Sequence, residues 1–124
     1  MERSEFIWTF PCFILASNYT IDRETGGILL DEHIRLVAPE VTPGGKQRLA
    51  IFTDQYLAED YADICSQRVD PIPILNRTEL KKLLNRAVEV YHELVIDLNP
   101  QTRLGRVFDT ASLIQAIELE EGRP

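Results

Sequence analysis

A chain of 124 residues is long enough to bury one hydrophobic core and too short for two, so the sequence predicts a single domain over residues 1–124. An apolar fraction of 44% beside 27% charged residues is typical of a soluble folded protein. The formal net charge of −7 repels phosphate backbones and anionic lipid, which makes nucleic acid and membrane surfaces poor candidate partners.

The start of the chain resembles neither a membrane span nor a secretory signal. Its longest apolar run, residues 6–16, is about half as long as a span and is interrupted by Thr9 and Pro11. The first residues, MERSE, carry as much acid as base. We therefore expect a cytoplasmic protein in which Cys12 and Cys65 are small apolar residues and form neither a disulfide nor a metal site.

Before residue 48 the pattern is typical of short strands. FIWTF and CFILAS are rich in β-branched and aromatic residues, and Pro11 between them suits a sheet edge or a bulge. Glycines in the segments 25–27 and 43–45 predict tight turns. ILLDEHIRLV, between these turns, predicts either one broken strand or two.

After residue 48 a strand followed by a helix recurs. The all-apolar run LAIF, residues 49–52, is typical of a buried strand. Thr53 is the predicted N-cap of the next helix, and Asp54 lies favourably at its positive end. The stripe predicted to face the core consists of Leu57, Tyr61, Ile64 and Cys65.

The second strand, IPIL at residues 72–75, is placed near a sheet edge because Pro73 has no amide to donate. Asn76 or Thr78 is the predicted cap of the helix that follows. Its apolar residues recur with helical spacing over three turns: Leu80, Leu83, Leu84, Ala87, Val88 and Tyr91.

A third strand is predicted over Leu94–Leu98, ending at Asn99-Pro100. A last helix is predicted to begin near Asp109. Its inward residues are Leu113, Ile114 and Ile117. Together these elements predict an α/β fold with three helices and a mixed sheet of five or six strands, antiparallel in its N-terminal part and partly parallel from residue 49.

LAIFTDQYLAEDYADI, DPIPILNRTELKKLL and LVIDLNPQT, in this order, resemble the N-terminal domain of the SseB family, the enhanced serine sensitivity proteins. The likeness covers about residues 49–101. It implies a bacterial-type mixed α/β domain with no established catalytic residues, often treated as a binding or interaction module. The family usually has glycine after Asn-Pro, where this chain has Gln101. The residues that match family motifs are Phe52, Thr53, Asn99 and Pro100.

If the three apolar strands are parallel, their carboxyl ends form one rim of the sheet. That rim would collect Thr53, Asp54, Asn76, Arg77, Asn99 and Gln101. Open α/β sheets bind ligands at such ends, so one hypothesis is a small anion held by helix N-terminal amides and Arg77. The interpretation that we favour is that Thr53 and Asn76 cap helices and Asn99 ends a strand.

Catalytic and metal motifs have little support. In DEH only Asp31 and His33 would share a strand face, and two ligands do not make a metal site. His92 is the only other histidine. In TPGGKQR, Gln47 stands where a phosphate loop needs Ser or Thr. We therefore predict no cofactor, no metal and no catalytic residue.

Two surfaces are candidate partner sites. Phe6, Trp8 and Phe10 alternate along the predicted first strand and form either a docking or homodimer surface or, as we favour, part of the core. Two helix faces of opposite charge, predicted to be neighbours, either steer a partner protein or, as we favour, are ordinary solvated faces that keep the domain soluble. They consist of Glu59, Asp60 and Asp63 on the first helix and Lys81, Lys82 and Arg86 on the second.

From these patterns we expect a non-catalytic interaction or regulatory module that binds a protein or a small anion. The alternative is an enzyme, or an enzyme subunit, with its site on the rim near Asp54, Asn76 and Asn99.

Overall fold

The computed structural model of the protein describes residues 8–24, 28–29, 33–39, 46–65, 67–102 and 104–121. The strands are β1 (Cys12–Ser17), β2 (Arg35–Leu36), β3 (Leu49–Phe52), β4 (Asp70–Ile74), β5 (Glu93–Ile96) and β6 (Arg106–Asp109). The helices are α1 (Gln55–Ile64), α2 (Arg77–Ala87) and α3 (Thr110–Glu121). The predicted α/β class, with three helices and a mixed sheet, is confirmed, and the described residues form a sheet of six strands.

β1 is an interior strand and is paired along both of its edges. β4 pairs antiparallel with one edge, while β2 and β3 pair antiparallel with the other. β5 lies parallel beside β3, and β6 lies antiparallel beside β5. The prediction that Pro11 suits an edge or a bulge is wrong, because Pro11 precedes β1 and removes no amide from its ladders. Among the described strands, β4, as Pro73 predicted, and β6 each have one partner strand, as does the two-residue β2.

The sheet is covered on both faces, which gives the fold three layers. Alternate strand residues such as Ile14 and Ile51 pack with α2 and α3. The residues between them, such as Leu15 and Phe52, pack with α1. Because α1 and α2 lie on opposite faces, the prediction that their oppositely charged surfaces are neighbours is wrong.

α1 packs against the sheet through Ala58, Tyr61 and Ala62. Ala58 is buried and Tyr61 is half-buried, with its ring centroid 5.7 Å from that of Phe52. Leu57 and Ile64, which were predicted to face the core, are exposed. The large side chains of Leu15 and Phe52 are fully buried in this layer, and Ala58 packs closely with them.

The other two helices match their predicted patterns. Their predicted inward residues are buried or half-buried: Leu80, Leu83, Leu84, Ala87, Val88, Tyr91, Leu113, Ile114 and Ile117. Asn76 is the N-cap of α2, and its side-chain oxygen accepts the Glu79 N–H at 2.9 Å. At the start of α3 the Asp109 carboxylate accepts the Ser112 N–H at 3.0 Å, as a cap does.

The N-terminal part contains less strand than predicted. Residues 8–10 of FIWTF lie outside any strand, whereas residues 6 and 7 lie outside the described part of the chain. The predicted turns at 25–27 and 43–45 and the Asp31-Glu32 pair also lie outside it. Of ILLDEHIRLV, only Arg35–Leu36 is a described strand. Ile21 and Ile28 form an isolated antiparallel bridge, so segments 20–24 and 28–29 lie together as a short arm.

Candidate functional site

The predicted rim exists. β3 and β4 both run antiparallel to β1, and β5 runs parallel to β3, so the carboxyl ends of all three strands point the same way. The end of β4 is separated from the end of β3 by β1. The rim therefore brings the ends of β3 and β5 together and holds the start of α2 one strand further away.

Asp97, a carboxylate that the sequence analysis did not single out, organises the centre of the rim. Its Oδ1 accepts the Thr53 N–H at 2.8 Å, and its Oδ2 accepts the Thr53 hydroxyl at 2.7 Å. The Asp97 N–H donates to the Ile51 carbonyl at 2.9 Å. Its backbone is left-handed, with φ of 56°, a conformation that Asp adopts more readily than most residues.

This conformation explains why the apolar run stops. The extended backbone of β5 ends at Ile96, one residue before the left-handed turn, and Leu98 is buried beyond it. Thr53 uses its hydroxyl for Asp97 and is not the N-cap of α1. Asp54 is that N-cap, so the prediction is one residue early.

The polar side chains that the enzyme alternative would use are bonded to nearby backbone. Asp54 caps α1 and Asn76 caps α2, each through an oxygen that accepts an N–H of the first turn. Asn99 Oδ1 accepts the N–H groups of Gln101 and Thr102 at 2.8 and 3.1 Å. These contacts support the interpretation that the rim consists of helix and turn caps.

The remaining two predicted binding residues lie at the surface of the rim. Arg77 is the first residue of α2 and is exposed. Gln101 is exposed in the turn that Asn99 closes. Of the six predicted residues, Asn76 alone also lines the larger of two hollows described below.

A groove of about 550 Å³ lies between the arm, the end of β4 and the first turns of α2. Its floor is apolar, formed by Ile28, Ile74 and Leu83. Its walls carry exposed leucines, since Leu29 is 41% and Leu75 is 48% exposed. The volume falls within the range of roughly 300–1,000 Å³ that is usual for ligand sites. We call this hollow the β4–α2 groove.

The polar walls of the groove are formed by Asp22, Asn76, Thr78, Glu79 and Lys82, together with Pro73. Both carboxylates also accept hydrogen bonds from backbone N–H groups. Asp22 Oδ1 accepts the Glu24 N–H at 2.9 Å, and Glu79 Oε1 accepts the Leu75 N–H at 2.9 Å. These two hydrogen bonds fix the backbone of the groove walls near Glu24 and Leu75.

The outer edge of β4 offers acceptors and no unbonded donor between Asp70 and Leu75. Pro71 and Pro73 pair with Leu15 and Phe13 of β1 but have no N–H, so the ladder bonds to β1 are made by the residues between them. The carbonyls of both prolines therefore face outward. The next N–H, that of Leu75, is taken by Glu79. We call this edge the closed edge.

A second hollow of about 230 Å³ lies at the opposite end of β5, against Lys46, Val90 and His92. Beside it the Arg48 guanidinium lies 3.1 Å from the Glu93 carboxylate and joins the starts of β3 and β5. Of the two histidines, His33 lies in a turn and both are exposed. Among the described residues, no group of three or more His, Cys, Asp or Glu could hold a metal ion.

The described aromatic residues of the N-terminal row contact the core. Trp8 and Phe10 are half-buried and pack against the cluster under α2 and α3, in agreement with the core-packing interpretation. Phe6 lies outside the described residues. The predicted alternation on a strand is wrong for Trp8 and Phe10, because β1 begins at Cys12.

The shifted acidities do not point to a nucleophile. Burial raises the pKa of the Cys12 thiol to about 12, and it also raises the pKa of Cys65. A hydrogen bond from the Tyr19 hydroxyl to Asp70, 2.9 Å long, raises the pKa of Tyr19. All three shifts favour the protonated form, which is the less reactive one.

In comparisons with known proteins, no protein-family model and no curated protein matches this chain. Within the part of the chain that the structure describes, no helix has the length and apolar character that crossing a membrane requires.

Proposed function

We propose that this domain is a non-catalytic interaction module, of the kind that the SseB resemblance implies, and that a segment of a partner protein binds in the β4–α2 groove. The observation that carries the proposal is the groove itself. It combines an apolar floor with two leucines, Leu29 and Leu75, whose side chains are 41% and 48% exposed. Exposed apolar side chains around a concave surface are typical of binding sites.

The chemistry of the groove selects a basic, apolar segment. An aliphatic or aromatic side chain of the partner fits over the floor and between the two leucines. The polar surroundings are rich in acceptors: the outward carbonyl of Pro73 and the carboxylates of Asp22 and Glu79, against the single ammonium of Lys82. An arginine or lysine beside the apolar anchor complements this set, and the net charge of −7 attracts such a segment over a longer range.

Catalysis on the rim is less well supported. Asp54 and Asn76 begin α1 and α2, and Asn99 closes a turn, through bonds to the protein's own backbone. An enzyme that used these groups on a substrate would first have to break the bonds that start its helices. Such caps typically stabilise a protein by about 1 kcal/mol each.

Selection of binders from a random-peptide display library tests the proposal. We expect enriched peptides to combine an aliphatic or aromatic residue with arginine or lysine. Leu75→Ser should weaken their binding by about tenfold, because burial of one leucine contributes about 1.5–3 kcal/mol and this site is only partly buried. The Leu75 backbone bond to Glu79 is kept, so the fold should survive.

Val90→Ser is the matched control, since Val90 is 68% exposed and lies away from the groove against the second hollow. Peptides should bind this variant as tightly as the wild type. Failure to enrich peptides, or equal binding to Leu75→Ser and wild type, would contradict the proposal. A small-anion function would instead appear as a sulfate-dependent rise in melting temperature that Arg77→Ala removes.

A further inference from the structure

We propose that the outer edge of β6 pairs two copies of this chain into an antiparallel, two-fold symmetric dimer centred on Val107. This surface lies at the opposite side of the sheet from the β4–α2 groove. The inference therefore does not depend on the proposed function.

The register of the sheet shows which backbone groups of β6 face outward. Because the Asp97 N–H donates to the Ile51 carbonyl, odd-numbered residues of β5 turn their backbone groups toward β3. Even-numbered residues, Leu94 and Ile96, therefore turn theirs toward β6, where their partners are Phe108 and Arg106. Val107, between these partners, points both its N–H and its C=O away from the sheet.

Two of the exposed side chains along this edge are large and apolar. Val107 is 40% exposed, and Leu104, just before the strand, is 71% exposed. Among the described residues, none forms a backbone hydrogen bond with the N–H or C=O of Val107. An edge strand with outward donors, outward acceptors and exposed apolar side chains is a template for another strand.

A second copy fits this edge because the outward groups of Val107 are self-complementary. When Val107 lies opposite itself, the two residues exchange two N–H···O=C bonds across the two-fold axis. In this register Gly105 lies opposite Asp109, and Arg106 lies opposite Phe108. The Arg106 guanidinium already lies 5.3 Å from the ring centroid of its own Phe108, so each cation meets a second ring.

The neighbouring registers are less favourable. A shift by two residues in one direction places Arg106 opposite Arg106, and like charges directly opposite each other destabilise a strand pair. A shift in the other direction places Arg106 opposite Thr110, where β6 has ended and α3 has begun. Of these three registers, the one centred on Val107 is therefore favoured. It places no like charges opposite each other and pairs no strand residue with α3.

The closed edge makes this association stop at two copies. Strand addition at both edges of a sheet would build an open assembly, but Pro71 and Pro73 leave no donor on the outer side of β4. A single pair of four-residue strands buries little surface, so the dimer should be weak and concentration-dependent. Because each copy carries a net charge of −7, added salt should strengthen it.

Sedimentation velocity over a wide range of protein concentrations tests the inference, with circular dichroism to verify folding. We expect the average mass of the wild type to rise from one copy toward two. Val107→Lys and Val107→Pro should each remain at one copy throughout, the first by charge repulsion and the second by loss of the outward N–H. Val90→Lys, which adds the same charge at another exposed valine, should associate like the wild type.

Two results would overturn the inference: a wild type that stays at one copy at every concentration, or dimers that persist in Val107→Lys. If Val107→Pro fails to fold, Val107→Lys against Val90→Lys decides the question alone. Association of all four proteins to the same extent would place the contact elsewhere on the molecule.

Discussion

The two outer edges of the sheet differ in what they can bind. On β4 the outward positions are Pro71 and Pro73, and the next N–H is held by Glu79. On β6 the outward position Val107 keeps both its donor and its acceptor. The comparison teaches that the register of a strand decides which backbone groups its outer edge presents. Residues two apart in a strand direct their backbone groups to the same side, so Pro71 and Pro73 together remove the N–H donors from the outer edge of β4.

The largest expected effect distinguishes inward from outward positions on β6. Phe108→Pro removes a ladder bond to β5 and a half-buried aromatic ring, and should cost about 3 kcal/mol of unfolding free energy. Val107→Pro removes only an outward N–H and should cost less than about 1 kcal/mol. Urea unfolding measures both. Equal losses for the two variants would show that the deduced facing of β6 is wrong.

The contact between Asp97 and Thr53, which links the end of β5 to the end of β3, should have the next largest effect. Asp97→Ala removes both bonds to Thr53 and leaves alanine in a left-handed conformation, for a loss of about 2–3 kcal/mol. Asp97→Asn keeps an acceptor and tolerates the same backbone, so it should lose less. Since Asp97 lies between the edges, amide exchange should accelerate on both sides of it. Faster amide exchange on only one side of Asp97 would show that Asp97 does not link β3 to β5.

At the closed edge, Glu79→Ala should cost about 1 kcal/mol, as the loss of a capping interaction does. It also frees the Leu75 N–H, which should then exchange faster with solvent. Glu79→Gln retains an acceptor oxygen and serves as the control. If Leu75 exchanged at the same rate in all three proteins, Glu79 would not be what closes this position.

The smallest expected change in stability accompanies the most informative change in association. The double variant Pro71→Ala/Pro73→Ala should lose at most about 1 kcal/mol, mainly through greater freedom of the unfolded chain. It adds two outward N–H groups to β4 and should therefore associate beyond the dimer. Analytical ultracentrifugation reads this out. A double variant that never exceeds the wild-type mass would show that the prolines do not limit association.

The sequence predicted those parts of the fold where spacing and side-chain size agree. In α2, leucines recur with helical spacing and are buried, so the pattern and the packing coincide. In α1 the pattern and the packing differ, because Ala58 is buried against the strand side chains while the larger Leu57 is exposed. Periodicity records which residues are apolar, and does not record how much room the partner layer leaves.

The rim was predictable in outline but not in its central contact. The apolar run around Asp97 predicts a continuous strand, but the backbone of Asp97 is left-handed and ends the strand. A single acid inside an apolar run, two residues before Asn-Pro, is the signal that could have indicated the turn. The contact between the Asp97 carboxylate and Thr53 depends on the pairing of β3 with β5. This pairing is a long-range contact that local sequence does not encode.

The closed edge was half visible in the sequence. Pro73 predicted an outer strand, and this prediction is confirmed. CFILAS was predicted to be a strand, but its pairing with β4 was not, and without that register the outward direction of both prolines could not be known. The groove required the fold as well, since it joins the arm, residues 20–24 and 28–29, to α2 across a gap of about 45 residues in the chain.

The contrast between the two edges is tested most directly by residue-resolved hydrogen exchange at two protein concentrations. The Val107 amide should exchange rapidly in dilute solution and become protected at high concentration, as the β6 edges pair. The Leu75 amide, held by Glu79, should be equally protected at both concentrations. A Val107 amide that is already protected in dilute solution, or a Leu75 amide that responds to concentration in its place, would contradict the account.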